Sequence, residues 1–388
     1  MKPVETRDMV ATEFTGRDTE TGAAIAVVVD DGVVRSVGPA GGDEEMWLSP
    51  GLIDLQVNGF RGYDVNSASP DATDIASLVD VQLREGVTTF APTVVTASEE
   101  RMIAALRAIA SARAKRARAA HAIPFVHVEG PYFSSEDGPR GAHPLEHIRA
   151  PSLTEFERWQ DASGGLVGLV TMSPHFLEAP AYIAELTSRG VHVAIGHTHA
   201  GRDAIMAAVA AGARLSTHLG NGAHSQLPRH PNYLWTQLAE DRLTATFIAD
   251  GHHLPADTLV AMLRAKGTDR SILVSDSVNL GGLPAGIYKT PAGALVKANE
   301  NGRLELLGTP YLAGATRSLN ECVALATKLG RISLAQAIRM ATVNPGRFAQ
   351  GRGRILPGAP ADLVRFRWAP EDERLQIVSV IAAGEPVV

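Results

Sequence analysis

Short runs of apolar residues alternate with longer amphipathic segments over most of the chain after residue 50. The apolar runs have the length of buried β-strands, because continuous apolar stretches of four to eight residues suit strands that are covered on both faces. We predict eight such strands. They cover residues 52–57, 87–90, 123–128, 166–171, 191–195, 214–217, 244–248 and 272–274.

Helical patterns occupy most of the connections between these strands. An alternation of strand and helix implies a parallel sheet, and eight repeats suggest that the sheet closes on itself. The sequence therefore predicts an α/β fold, a (β/α)8 TIM-type barrel. We expect residues 283–312 to form a hairpin excursion and residues 316–345 to close the barrel with helices. The other predicted helices cover residues 75–85, 99–113, 153–159, 180–188, 202–211, 233–239 and 255–265.

The two ends of the chain have a different pattern, which indicates β-structure without helices. Residues 24–29 and 32–37 read as a β-hairpin, and residues 361–366 and 375–383 read as further strands. We predict that the two ends pair with each other as a small β-sandwich domain. The predicted limits are 1–49 with 354–388 for the sandwich and 50–353 for the barrel.

Composition narrows the classes of protein to which the chain belongs. Its 388 residues suffice for a large core, and its net charge of −6 gives no reason to expect a nucleic acid or an anionic membrane as a partner. Its single cysteine, Cys322, fits a reducing compartment and is expected to pack in a helix. Residues 1–14 do not resemble a signal peptide, and no apolar stretch is long enough to span a membrane. We expect a cytoplasmic protein.

Ionisable residues follow five of the eight predicted strands, at the end where barrel enzymes place their functional groups. One carboxylate, two imidazoles and an open position form a known catalytic zinc arrangement. For any one of these residues, a solvated loop position or a helix cap is the simpler interpretation, but the five strand ends together favour a metal site. The residues are His127, Glu129, His197, His199, His218, Asp250, His252, His253 and Asp276.

Three of these histidines have another interpretation. His127 lies deeper in its strand than Glu129, so we expect it to be structural. His199 and His252 are expected to be surface or supporting groups.

Motifs spread over essentially the whole chain resemble those of the N-acetylglucosamine-6-phosphate deacetylase family of the amidohydrolase superfamily. The pair of EGP and GAH motifs is the most specific part of this resemblance, whereas the first and last motifs occur across the superfamily. The motifs are PGLIDLQVNG at 50–59, HVEGP at 127–131, GAH at 141–143, GHT at 196–198, THLGN at 217–221, ADGHH at 249–253, VSD at 274–276, LAG at 312–314, ATVNP at 341–345 and PGAPADL at 357–363.

The resemblance implies a metal centre and two catalytic groups. Glu129, His197 and His218 would hold one divalent metal ion per subunit, with zinc as the expected ion and iron, cobalt and manganese as alternatives. Asp276 would be the general acid and base, and His143 would polarise the acyl carbonyl group.

The resemblance also implies how the substrate is bound. His253, Asn221 and Gly222 would contact it, and Arg229 would reach the phosphate group from the neighbouring subunit of a homodimer. The expected reaction is metal-dependent hydrolysis of the acetamide of an N-acetyl amino sugar. N-acetylglucosamine 6-phosphate would give glucosamine 6-phosphate and acetate.

Several positions depart from the family pattern. Gln56 and Asn58 stand where many superfamily members have the two histidines of a second metal site, and amides are poor zinc ligands, so we expect one metal ion. Residues 220–223 and 277–282 also differ, and they leave the identity of the sugar open.

Other functions on the same fold are alternatives. Within the superfamily the substrate would be another acetamido sugar, an N-acyl amino acid or a cyclic amide. A metal-dependent isomerase or lyase, or a barrel that has lost catalysis and serves as a scaffold, is also compatible with this fold. The presence of every candidate ligand argues against the scaffold.

Overall fold

The structure, a computed structural model, describes residues 11–42, 44–289, 295–309 and 312–387. Residues 1–10, which belong to the N-terminal segment for which the sequence predicts no signal peptide, lie outside the described residues. So do residues 290–294 and 310–311 of the predicted excursion. The strands are β1 (Thr12–Asp18), β2 (Ala24–Asp30), β3 (Val33–Pro39), β4 (Trp47–Pro50), β5 (Leu52–Val57), β6 (Gly59–Phe60), β7 (Tyr63–Asp64), β8 (Val87–Val95), β9 (Val126–Glu129), β10 (Val167–Met172), β11 (His192–Ile195), β12 (Leu215–Ser216), β13 (Thr244–Ile248), β14 (Ser271–Val274), β15 (Gly286–Lys289), β16 (Leu295–Ala298), β17 (Leu304–Leu306), β18 (Leu363–Arg367), β19 (Gln376–Ala382) and β20 (Glu385–Pro386). The helices are α1 (Ala72–Arg84), α2 (Glu99–Lys115), α3 (Ala117–Ala122), α4 (Leu153–Ser163), α5 (Ala179–Ser188), α6 (Arg202–Ala211), α7 (Tyr233–Ala239), α8 (Ala256–Lys266), α9 (Leu319–Leu329), α10 (Leu334–Met340) and α11 (Val343–Gly346).

Eight parallel strands form the central barrel, as the sequence predicts. Their order is β5, β8, β9, β10, β11, β12, β13 and β14. The first and last strands meet beyond the end of β14, where the Asp276 N–H donates to Gln56 O at 3.0 Å and the Asn58 N–H donates to Ser277 O at 2.9 Å. These bonds close the sheet and bring the polar residues after strands β5 and β14 together.

The barrel strands are mostly apolar because both of their faces are buried. Every residue of β5, β9, β13 and β14 is buried. Side chains such as Leu55, Leu169 and Ile248 fill the barrel interior, while a second and larger core lies between the strands and the outer helices. This double burial is the physical reason why the strands appear in the sequence as continuous apolar runs.

The two chain ends meet in one seven-stranded sheet, in the order β20, β19, β18, β4, β1, β2 and β3. Strand β18 pairs antiparallel with β4, which joins the C-terminal end of the chain to the N-terminal end. This sheet has its own core, which includes Val27, Leu48 and Leu363. The predicted small β domain is therefore confirmed, whereas its limits at residues 49 and 354 stay a prediction.

The segments after β14 complete the barrel. Strands β15, β16 and β17 form a three-stranded antiparallel sheet, in agreement with the predicted excursion, except that residues 290–294 and 310–311 lie outside the described part. Helix α9 begins with a capping box of Ser318 and Glu321 and packs against β5 and β14. It therefore covers the line along which the barrel closes. Within the described residues, no helix combines the length and the apolar character needed to cross a membrane.

Candidate active site

A cavity of about 520 Å³ opens at the C-terminal ends of the barrel strands. Parallel barrel strands direct their following loops to this end, so residues far apart in the sequence meet there. Eight of the nine predicted site residues line the cavity. They are Glu129, His143, His197, His218, Asn221, Gly222, His253 and Asp276.

The ninth predicted residue, Arg229, does not line the cavity of its own chain. It is exposed on the loop between β12 and α7. The structure of a single chain thus does not bring Arg229 to the other site residues.

Three donor atoms converge at the bottom of the cavity. Glu129 Oε1 lies 3.3 Å from His197 Nε2 and 3.0 Å from His218 Nε2, and the two Nε2 atoms lie 3.2 Å apart. Ligand atoms of a tetrahedral zinc ion, at bond lengths of about 2.0–2.2 Å, are separated by roughly 3.3–3.6 Å. The observed distances fit such an ion to within a few tenths of an ångström.

His143 extends this cluster. Its Nε2 lies 3.3 Å from His197 Nε2, and Glu129, His143 and His197 form a group whose potential ligand atoms all lie within 4.8 Å of one another. His218 belongs to the same centre on distance, because its Nε2 is nearer to Glu129 Oε1 than the Nε2 of His197 is. The site therefore offers one carboxylate and three imidazoles, of which three groups suffice for a metal ion.

Hydrogen bonds orient His197 for a ligand role. Its Nδ1 donates to Pro139 O at 2.8 Å, which leaves the lone pair of Nε2 free to face the cluster. The ring of Phe133 packs against both His197 and His143, with ring centroids 4.4 and 4.7 Å apart. This apolar cover lowers the polarity around the imidazoles.

Two glycines enclose the ring of His197. A Cβ atom on Gly222 would lie 2.7 Å from His197 Nδ1, and one on Gly141 would lie 3.2 Å from His197 Cε1. Both glycines have positive φ angles, +56° and +59°. The backbone of two loops thus approaches the imidazole more closely than any side chain would permit.

The backbone itself is strained at three of the predicted site residues. His197, His218 and Asp276 have φ angles of 48°, 28° and 49°, in the left-handed region that residues with a Cβ atom avoid. Such conformations cost about 1–3 kcal/mol each and concentrate at functional sites. Each one turns the side chain after a strand end towards the cavity.

Asp276 lies beside the cluster and is held by an amide. Asn58 Nδ2 donates to Asp276 Oδ1 at 2.7 Å. Burial, together with the negative charge of Glu129, raises the pKa of Asp276 to about 6. A carboxyl group with a pKa this close to neutrality can both accept and release a proton.

The charges of Glu129 and His143 are set by their surroundings. Burial alone would raise the pKa of Glu129, but the adjacent imidazoles of His197 and His218 hold this pKa well below its usual range. Burial and the neighbouring His197 lower the pKa of His143 to about 3. Glu129 is therefore an anion and His143 a neutral imidazole, the forms that bind a cation and polarise a carbonyl group.

His253 and Asn221 also line the cavity. His253 Nδ1 donates to Asp250 Oδ2 at 2.7 Å, and Asp250 Oδ1 accepts the backbone N–H groups of His252 and His253. Asn221 Nδ2 donates to His218 O at 3.3 Å. Both residues are thus fixed by their own loops before any substrate arrives.

The histidines set apart in the sequence analysis lie outside the cluster. His127 is buried in the barrel, with Nδ1 3.1 Å from Leu55 O and Nε2 2.7 Å from Thr171 Oγ1. His199 Nδ1 lies 2.6 Å from Ser134 Oγ, and His252 Nε2 donates to Asn301 O at 3.0 Å. None of the three lines the cavity.

The structure adds residues that sequence reasoning missed. Asp64, Asn66 and Asn279 line the cavity, and Thr96 does so directly after β8. Thr96 could have been found by examining the end of the second strand for polar residues. The other three lie in or after turns and short hairpins, where no periodic pattern marks the residue that faces the site.

Comparisons with known proteins agree with this geometry. The sequence model of the amidohydrolase family matches residues 47–387. The chain is 32% identical to an N-acetylgalactosamine-6-phosphate deacetylase of Escherichia coli O157:H7, over 87% of this chain and 89% of that protein. It is 31% identical to an N-acetylglucosamine-6-phosphate deacetylase of Bacillus subtilis, over 82% and 80% respectively.

A solved structure resembles the whole chain. It is that of a mutant N-acetyl-D-glucosamine-6-phosphate deacetylase from Mycobacterium smegmatis, in complex with N-acetyl-D-glucosamine-6-phosphate. The TM-score is 0.86 and the identity 28%, over 97% of this chain and 99% of that one. The resemblance seen in the sequence motifs is thereby confirmed. The chain belongs to the amidohydrolase family and, within it, to the N-acetylglucosamine-6-phosphate deacetylase family.

Proposed function

We propose that this chain hydrolyses the acetamide of N-acetylglucosamine 6-phosphate to glucosamine 6-phosphate and acetate. The observation that carries this proposal is the convergence of Glu129, His197 and His218 in one cavity, beside the buried carboxyl group of Asp276. Relatives named for this activity support the choice of substrate.

Glu129, His197 and His218 would hold one divalent metal ion per subunit, and zinc suits their mixture of carboxylate and imidazole. When bound, such an ion supplies Lewis-acid chemistry by polarising a carbonyl group and lowering the pKa of water. A second ion would need Gln56 and Asn58 as ligands. Asn58 already donates to Asp276, and amides bind zinc poorly, so the site is mononuclear.

The protein residues account for the proton transfers. Asp276 accepts a proton from the attacking water while the new C–O bond forms at the acetyl carbon. His143 donates a hydrogen bond to the acyl oxygen, where negative charge develops. Asp276 then gives its proton to the amine nitrogen as the C–N bond breaks, so one residue serves first as base and then as acid.

The phosphate group requires a cation that the cavity of one chain does not provide. Among the described residues that line the cavity there is no lysine or arginine. Glu129, Asp276 and Asp64 add acidic groups to the same walls. We therefore assign phosphate binding to His253 and to Arg229 of the neighbouring subunit in a homodimer, which fits the exposed position of Arg229. A cytoplasmic location, where sugar phosphates occur, belongs to the same proposal.

N-acetylgalactosamine 6-phosphate is the second candidate substrate. It differs from the first only in the configuration at C4, and one relative with 32% identity is named for it. The loops at residues 220–223 and 277–282, which depart from the family pattern, lie at the cavity and bear on this choice.

Acetate release from a panel of substrates tests the proposal. The panel contains both hexosamine 6-phosphates, the two unphosphorylated sugars and an N-acetyl amino acid, with metal analysis of the same protein sample. We expect the highest kcat/KM for N-acetylglucosamine 6-phosphate and one ion per chain. A preference for the amino acid, or for unphosphorylated sugar, would refute the assigned substrate, and two tightly bound ions would refute the mononuclear site.

A further inference from the structure

The segment of residues 130–152, between β9 and α4, brings two groups to the active site. Pro139 O accepts the hydrogen bond from His197 Nδ1 at 2.8 Å, and His143 Nε2 lies 3.3 Å from His197 Nε2. Its only regular element is the 3₁₀ turn Leu145–His147. The start of the segment is fixed by backbone bonds such as that from the Ser134 N–H to His197 O at 3.0 Å, and side-chain contacts add to these bonds beyond Ser134.

Glu136 makes the contacts that cross from this segment to two other loops of the site. Its Oε2 accepts a hydrogen bond from His224 Nε2 at 2.9 Å, on the loop after β12. Its Oε1 lies 3.8 Å from His199 Nδ1, on the loop after β11. The Glu136 N–H also donates to Ser134 Oγ at 3.1 Å, and that hydroxyl lies 2.6 Å from the same His199 atom.

The position of His224, the partner of Glu136, is fixed by contacts with Tyr233. The Tyr233 hydroxyl oxygen accepts the His224 backbone N–H at 2.8 Å and lies 3.0 Å from His224 Nδ1. Tyr233 is buried at the start of α7. On the other side, Gly138 is packed so closely that a Cβ atom there would lie 2.8 Å from His224 Cα. The contact therefore links the segment to a buried residue at the start of α7.

Glu136 itself stays away from the reaction. Its side chain is 51% exposed, and it does not line the cavity. Its influence on the site is therefore exerted through the three loops that it connects.

We propose that Glu136 is a positioning residue for the deacetylation, a role that rests on the proposed function. By joining the segment to the loops after β11 and β12, it keeps Pro139 O on His197 and His143 beside the acyl group. Of the three loops that Glu136 connects, the segment after β9 carries Pro139 and His143, the loop after β11 carries His197, and the loop after β12 carries His218. One hydrogen-bonded carboxylate outside the cavity thus fixes the relative position of ligands that come from three strands.

Kinetics of three variants test this role. Glu136→Ala removes the bond to His224, Glu136→Gln retains an oxygen that accepts it, and Glu146→Ala is the matched control because it is an exposed glutamate of the same segment. Loss of a group that orients a metal ligand typically costs about 10–100-fold in activity or metal affinity. We expect Glu136→Ala to lower kcat by about tenfold with little change in KM, and the other two variants to remain near wild type.

Zinc affinity gives a readout that does not depend on the substrate. Competition with a chelator should show that Glu136→Ala binds zinc about tenfold more weakly than the wild type, whereas Glu136→Gln and Glu146→Ala do not. Unchanged zinc affinity and unchanged kcat in Glu136→Ala would overturn the proposal, as would equal losses in the Gln and Ala variants. Failure of the wild type to release acetate would instead refute the proposed function and leave the zinc result to decide this inference.

Discussion

At the scale of single residues, the proposed mechanism assigns both proton transfers to Asp276. Substitution by Asn keeps the size of the side chain but removes the group that accepts and returns the proton. We expect Asp276→Asn to lose about 10²–10⁴-fold in kcat, near the upper end because one residue serves both steps. Metal content and thermal unfolding should stay close to wild type. Activity within a few-fold of wild type would assign the proton transfers to another residue.

At Gly222, the addition of a single methyl group should have a large effect on metal binding and activity. An added methyl group would lie 2.7 Å from His197 Nδ1, at a φ of +56° that alanine rarely adopts. We expect Gly222→Ala to displace His197, with loss of most bound metal and of activity. Gly201→Ala is the control, because its added methyl group would meet nothing within 4 Å. Full metal content in Gly222→Ala would show that the loop yields without moving the imidazole.

At the scale of secondary structure elements, Lys266 connects α8 to the end of α7. Its buried Nζ donates to Gln237 O at 2.8 Å and to Glu240 O at 2.7 Å, which satisfies carbonyl groups at the C-terminal end of α7. Leaving buried acceptors without a partner costs about 1–3 kcal/mol. We expect Lys266→Met to lower the free energy of unfolding by this amount in denaturant titrations at neutral pH. An unchanged midpoint would mean that water replaces the ammonium group.

The same lysine predicts a pH dependence of stability. Burial lowers the pKa of Lys266 to about 8, whereas an unfolded chain keeps its ordinary value of about 10.4. Between these values the unfolded state binds more protons, so stability rises with pH. We expect the wild type to gain about 2 kcal/mol relative to Lys266→Met between about pH 8 and about pH 10. A constant difference between the two proteins over this range would show that the pKa is not lowered.

At the scale of the whole molecule, the question is whether one chain contains a complete site. The described lining of the cavity holds no arginine or lysine, while Arg229 is exposed elsewhere on the same chain. If a partner subunit supplies Arg229, a mixed dimer of Arg229→Ala and Asp276→Asn chains contains one complete site. We expect such mixtures to recover part of the activity that each variant lacks alone.

Two controls complete this experiment. Arg229→Ala should weaken binding of the phosphorylated sugar far more than binding of the unphosphorylated one, since an arginine fork binds phosphate through paired hydrogen bonds. Mixing two samples of Asp276→Asn should restore nothing. Demonstrably mixed dimers without recovered activity would contradict the shared site and leave the hydrolytic chemistry unaffected.

The sequence by itself determined the barrel, and it predicted most of the residues that the structure brings together at the cavity. Strands such as β5 and β13 are buried on both faces, so each leaves a short, mostly apolar run that is visible without the structure. Since barrel strands are parallel, the polar residue after each run must lie at the same end of the barrel. That rule was sufficient to bring Glu129, His197 and Asp276 together.

Only the tertiary structure decided the parts that depend on long-range contact. Strand β4, with the sequence WLSP, carries no strong apolar pattern, and it lies in the sheet because the distant β18 pairs with it. Strand β1, with the sequence TEFTGRD, is likewise held between β2 and β4. Likewise, the link from Glu136 to His224 spans 88 residues of sequence. A periodic pattern records which face of an element is buried, whereas the partner on that face is chosen by packing of the folded chain.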